Sequence, residues 1–123
     1  MAGITFVARD DGTVEVFGLQ GATWDFVIEV LDSSGVPFNL EGYSGRSQIR
    51  RSYSSNVVVA AFVVTVLAPT IQGKLRVTLG AATTATIKKG RYVFDVEIFT
   101  VDDANVLRIL TAPLLRVSPE ATK

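Results

Sequence analysis

Two stretches constrain this chain more than any others: Thr23–Leu31 (TWDFVIEVL) and Arg91–Phe99 (RYVFDVEIF). In the first, Trp24, Phe26, Ile28 and Val30 fall on one side of an extended segment, with Asp25 and Glu29 on the other. In the second, Tyr92, Phe94, Val96 and Ile98 alternate with Asp95 and Glu97. A period of two over eight or nine residues marks a strand with one dry and one wet face. Two aromatic-rich strands of this kind, far apart in sequence, are expected to supply the two inner faces of one β-sandwich core.

The rest of the chain supports an all-β reading. Ile4–Ala8, then Asp11-Gly12, then Val14 and Val16 in alternation predict an opening hairpin, because Asp-Gly suits a tight two-residue turn. Asp32-Ser33-Ser34-Gly35 reads as a turn, and Val36–Leu40, carrying Pro37, as an extended connection or edge. Tyr43–Arg50 alternates with Gly45, Ser47 and Ile49 inward, and its small residues are expected to make room for Trp24. Ser52–Asn56 reads as a polar loop. Leu75, Val77 and Leu79 alternate with Lys74, Arg76 and Thr78 as a further strand. Ala81–Lys89 suits a single helical turn closed by Gly90, with Lys88 and Lys89 near its negative end. Asp102–Asn105 reads as a turn. Val106–Leu110 and Leu114–Val117 read as two closing strands interrupted by Pro113, with a loose tail from Ser118 to Lys123. The expectation is one domain over residues 1–123: an immunoglobulin-like antiparallel β-sandwich of eight or nine strands with one short helical turn.

Val57–Leu67 is apolar on both of its alternating faces. One face carries Val57, Val59, Ala61 and Val63 and is assigned inward. The other carries Val58, Ala60, Phe62 and Val64 and is assigned outward. An antiparallel strand in an isolated sandwich has a polar outer face, so a neighbouring molecule is expected over Val58, Phe62 and Val64. Arg46, Arg50 and Arg76, with Arg51 and Arg91, would line an outer sheet face as a second contact surface, since arginine is favoured at interfaces. Hydrophobic residues make up 48% of the chain and its formal net charge is zero, a combination that favours association over isolation.

Composition also removes whole classes of chemistry. The chain has no histidine, hence no Ser-His-Asp arrangement, and no cysteine, hence no disulfide or thiolate metal site. Twelve basic residues balance twelve acidic ones, without the cationic excess that phosphate binding draws on, so no nucleic-acid partner is expected. Val57–Ala68 is too short to span a bilayer, and the early acidic residues of MAGITFVARDDG do not read as a signal peptide. Asp10-Asp11, Asp32 and Asp102-Asp103 follow no calcium-loop spacing. Asp95 and Glu97 are too close on one strand face for paired acid–base work and are expected to pair with Lys or Arg across strands. No catalytic residues, metal or cofactor are expected.

The order of landmarks resembles a known family. Gly21–Arg50 carries an aromatic strand, a D-x-x-G turn at Asp32–Gly35, the Asn39–Tyr43 connection and the Gly45–Arg50 strand. A Thr/Ala-rich turn at Ala81–Thr86, the Gly90–Val96 strand and the Val117–Thr122 ending follow. This order is similar to the immunoglobulin-like module of tailed-phage virion proteins, as in the N-terminal domain of upper baseplate (BppU-type) proteins. It covers about four fifths of the chain and departs from the pattern around Ala112-Pro113, where a glycine is usual. The resemblance implies a structural virion protein, assembled in the bacterial cytoplasm, whose partners are copies of itself and other virion proteins. It favours the tail or baseplate; a decoration (cement) protein of the head and a carbohydrate- or cell-surface-binding module remain open. The last would show exposed loop aromatics, and Phe17, Phe38 and Tyr53 are those outside the regular alternation.

Overall fold

The structure, a computed structural model, describes residues 4–8 and 14–119. The expected Arg9–Gly12 turn, Asp10-Asp11 and the tail from residue 120 lie outside them. Eight strands account for most of the described chain: β1 Ile4–Ala8, β2 Val14–Leu19, β3 Trp24–Glu29, β4 Ser44–Arg50, β5 Ala60–Val66, β6 Lys74–Leu79, β7 Gly90–Phe99 and β8 Val106–Ser118. A short α-helix, α1, spans Ala81–Thr84, and 3-10 turns lie at Thr70–Gln72 and Val101–Asp103. The hydrogen-bonded order is β1-β2-β8-β7-β4-β5-β6-β3. The fold is the all-β sandwich expected from the alternation.

β5 makes the sandwich out of a continuous ladder. Its first half, Ala60–Phe62, pairs with β4, and its second half, Val63–Val66, pairs with β6. The strand thereby passes from the larger layer into the smaller one, and β3 and β6 come to face β7 across the core. Phe94 on β7 meets Phe26 on β3 and Phe62 on β5 with ring centroids 6.5 and 5.2 Å apart. Trp24, Phe94, Val96 and Ile98 are all buried, as their alternation requires. Tyr92 at the start of β7 is also buried, and its hydroxyl donates to the Lys88 carbonyl at 2.6 Å, four residues upstream. A tyrosine tied back across the turn in this way is a hallmark of immunoglobulin-like sandwiches.

Four local expectations are corrected. The Trp24 indole is accommodated by Gly18 of β2, not by the small residues of β4: a Cβ on Gly18 would lie 2.5 Å from Trp24 Cζ2. Gly45 instead admits Val64. Gly90 does not close the helix. α1 has ended by Ala85, and Gly90, at φ 141°, opens β7. β8 runs unbroken through Pro113 to Ser118. The proline coincides with a register shift between the pairs Tyr92–Leu115 and Phe94–Ala112, a bulge that tolerates a residue with no N–H to give. Nor is the sandwich wholly antiparallel, because β2 pairs with β8 in parallel, from Glu15–Leu114 to Leu19–Ser118.

Candidate functional site

β5 reverses the expected facing. Phe62 is buried and Val64 packs half-buried against the core, while Ala61, Val63 and Thr65 point outward. Neither Phe62 nor Val64 therefore offers an outer surface. The reason is a competition between two phases of one apolar strand. Shifting a strand by one residue exchanges its faces, and burying an aromatic ring at position 62 outweighs burying the alanine at 61. Val57, Val58 and Val59 precede the strand, and all three are exposed, at 70%, 40% and 36%. Of the three expected apolar contact residues, only Val58 is at the surface.

These valines continue into an open edge. Val59 N–H donates to the Ile49 carbonyl at 2.8 Å, and Ala60–Phe62 pair with β4, all on one side. Among the described residues no strand pairs with the other side until β6 joins at Val63. No charged residue occurs between Arg51 and Lys74, so the edge lacks the lysines that ordinarily discourage another strand from adding to it. Val57 and Val59 were missed as surface residues because alternation alone cannot show that a β-branched run starts before the ladder does.

The arginines do not form one stripe. Arg46 and Arg50 stand on β4 in the larger layer and Arg76 on β6 in the smaller one. Arg76 clasps Asp25 with Nε–Oδ1 and Nη2–Oδ2 distances of 2.9 and 2.6 Å, and this bond holds the Asp25 carboxyl below the usual carboxylate range. Arg50 donates to the Ser55 carbonyl at 2.9 Å and to Gln48 Oε1 at 2.8 Å. The Arg51 guanidinium lies 4.4 Å over the Tyr92 ring.

The outer face of the larger layer carries a network of paired charges. β4, β7 and β8 lie side by side, and their register sets Glu97 opposite Arg46 on one side and Arg108 on the other. Arg46 Nε donates to Glu97 Oε1 at 2.8 Å, and Arg108 reaches Glu97 Oε2 at 3.2 Å and Asp95 Oδ2 at 3.1 Å. This is the cross-strand pairing expected of Asp95 and Glu97. The Arg46 bond, helped by Arg108, keeps Glu97 ionised to lower pH than usual, against the opposing effect of partial burial. Arg46 also stacks on Phe99, 4.5 Å from the ring centroid, and its Nη1 lies 3.5 Å from Asp103.

Beside this network lies a groove of about 340 Å3, bounded by Gln48, Arg50, Tyr53, Val93, Asp95, Glu97 and Arg108. A hollow of about 290 Å3 at Arg46 shares Gln48, Asp95 and Glu97 with it, so the two form one trough. Tyr53 is exposed at 55%, whereas Phe38 is packed edge-on against Tyr43 and Phe17 is half-buried. Desolvation, then the charge of Asp95, pushes the Tyr53 phenol above its ordinary value, so it holds its proton firmly. Asp32 caps its own turn, accepting from the Ser34 and Val36 N–H groups at 2.8 and 3.1 Å. Among the described residues no three carboxylates gather as a metal cage, and no helix is long and apolar enough to cross a membrane.

No protein-family model and no curated protein matches this chain.

Proposed function

We propose that this chain is a structural protein of a tailed-bacteriophage virion that works by contact, joining copies of itself and other virion proteins in the tail or baseplate. The observation that carries the reading is the Val57–Phe62 edge. Among the described residues no strand pairs with its outer side, and exposed valines stand beside it with no charge to repel a neighbour. An edge of this kind is completed by a strand from another chain, whose backbone supplies the missing hydrogen bonds and whose side chains dry the valines. The virion setting comes from the resemblance of Gly21–Arg50, Lys74–Phe99 and Val106–Thr122 to baseplate modules. Each such contact is small beside the roughly 800 Å2 per partner of a standard interface, so the reading calls for many copies held together by avidity.

Light scattering at rising protein concentration tests it. The wild-type chain associates, and a Val57→Lys/Val59→Lys variant shifts to monomer with an unchanged melting temperature, because neither side chain is buried. A wild-type chain that stays monomeric at millimolar concentration and is absent from purified tail and head fractions by immunoblot refutes the reading. Presence in the head fraction alone would move the protein to capsid decoration.

A further inference from the structure

We propose that the trough over Gln48, Tyr53 and Asp95 is a binding site for a neutral saccharide, a site independent of the β5 edge. Its polar capacity is only partly used within the protein. Gln48 spends its Oε1 on Arg50, and Asp95 its Oδ2 on Arg108. Among the described residues the Gln48 amide NH2, Asp95 Oδ1 and the Tyr53 hydroxyl have no partner. They form one donor, one acceptor and one group that does both, all lining the same groove. Neighbouring sugar hydroxyls each donate and accept, so they match this mixture where a pure donor or pure acceptor would not.

Charge narrows the class further. Three guanidinium groups (Arg46, Arg50, Arg108) stand against three carboxylates (Asp95, Glu97, Asp103), and most are already joined in pairs. An anion entering the trough meets Asp95 and Glu97, and a cation meets Arg50 and Arg108, so neither gains net attraction. The Tyr53 ring adds an exposed aromatic face at the rim, the surface on which the C–H side of a sugar ring rests. Its hydroxyl, protonated at neutral pH like any tyrosine, can both donate and accept. The volume falls at the lower end of the roughly 300–1,000 Å3 typical of ligand sites, enough for a short oligosaccharide segment lying across an open trough.

The full chain, labelled with 15N, is titrated with maltotriose, cellotriose, chitotriose and galactobiose while backbone amide shifts are followed, with 3′-sialyllactose as the anionic comparison. Saturable shifts clustered at residues 48–54 and 93–97 with at least one neutral sugar are expected. Tyr53→Ala, an exposed position whose loss leaves the core intact, weakens that binding about tenfold, and Tyr53→Phe weakens it less. The proposal is overturned if none of the neutral sugars shifts these amides. It is equally overturned if Tyr53→Ala binds as tightly as the wild type, or if the sialylated sugar binds best.

Discussion

A single methyl group placed on Gly18 tests how the core is put together. Gly18 sits in β2 between Ile4 of β1 and Val117 of β8, and a Cβ there would lie 2.5 Å from Cζ2 and 2.7 Å from Cε2 of Trp24. Carbon atoms in good contact stand about 3.5–4.0 Å apart, so the indole or the strand must move by about 1 Å. The indole has little freedom. It is fully buried, and its Nε1–H donates at 2.8 Å to the carbonyl of Leu19, the residue next to Gly18. Overpacking of this kind costs about 1–3 kcal/mol, and loosening the indole hydrogen bond adds about 1 kcal/mol. Replacing glycine by alanine in a strand returns roughly 0.5–1 kcal/mol of backbone entropy. Gly18→Ala therefore destabilises by about 1–3.5 kcal/mol. At an unfolding entropy near 2.1 cal/mol/K per residue, that lowers Tm by roughly 4–14 °C. Urea unfolding followed by far-UV circular dichroism, a signal that survives the loss of Trp24, the sole tryptophan, measures it directly. In a Trp24→Phe background the shorter ring leaves room for the methyl, and the cost of Gly18→Ala falls below about 0.5 kcal/mol. The reasoning fails if Gly18→Ala matches wild-type stability, or if its cost is the same in both backgrounds.

Two further outcomes follow from the packing and the charge pairs. Phe62→Ala lowers stability by about 3–5 kcal/mol, because its ring lies against Trp24, Phe26 and Phe94. Val63→Ala, one residue on and facing outward, stays within about 0.5 kcal/mol, and equal effects at the two positions in urea titrations would overturn the facing of β5. Glu97 has a depressed folded-state pKa, so its contribution is present above the unfolded glutamate value and is lost as pH falls through the folded one. Melting curves at pH 7 and pH 3 should show a smaller acid-induced drop in Tm for Glu97→Gln than for the wild type, and identical drops would refute the role of the Arg46 bond.

The strands legible from sequence were those in which chemistry and geometry agreed. β3 and β7 alternate aromatic or aliphatic residues with acids, so only one phase buries the large side chains, and that phase is observed. β5 offered two apolar phases, and the choice between them depends on Phe26 and Phe94 lying across the core, information no local window holds. The residue that accommodates Trp24 is hidden from the sequence for a related reason. Gly18 and Gly45 are equally small, and only the layer topology says which one the indole crosses. Pro113 read as an interruption because a proline cannot donate to a ladder, but a bulge at that point lets β8 continue. Of the groove, Tyr53 was visible as an aromatic outside the alternation. Its neighbours Asp95 and Arg108 are brought together by the β7–β8 register, which has no signature in either strand alone.

The parallel pairing of β2 with β8 has a mechanical consequence. Ile4 lies beside Gly18 and Gly18 beside Val117, so the described chain enters and leaves at one pole, only two strand widths apart. Tension drawn between those ends would unzip the β1 hairpin one rung at a time. It would then meet β2 and β8 lengthwise, where five rungs must shear together. Peeling breaks one pair after another whereas shearing loads five at once, so the second stage demands the greater force.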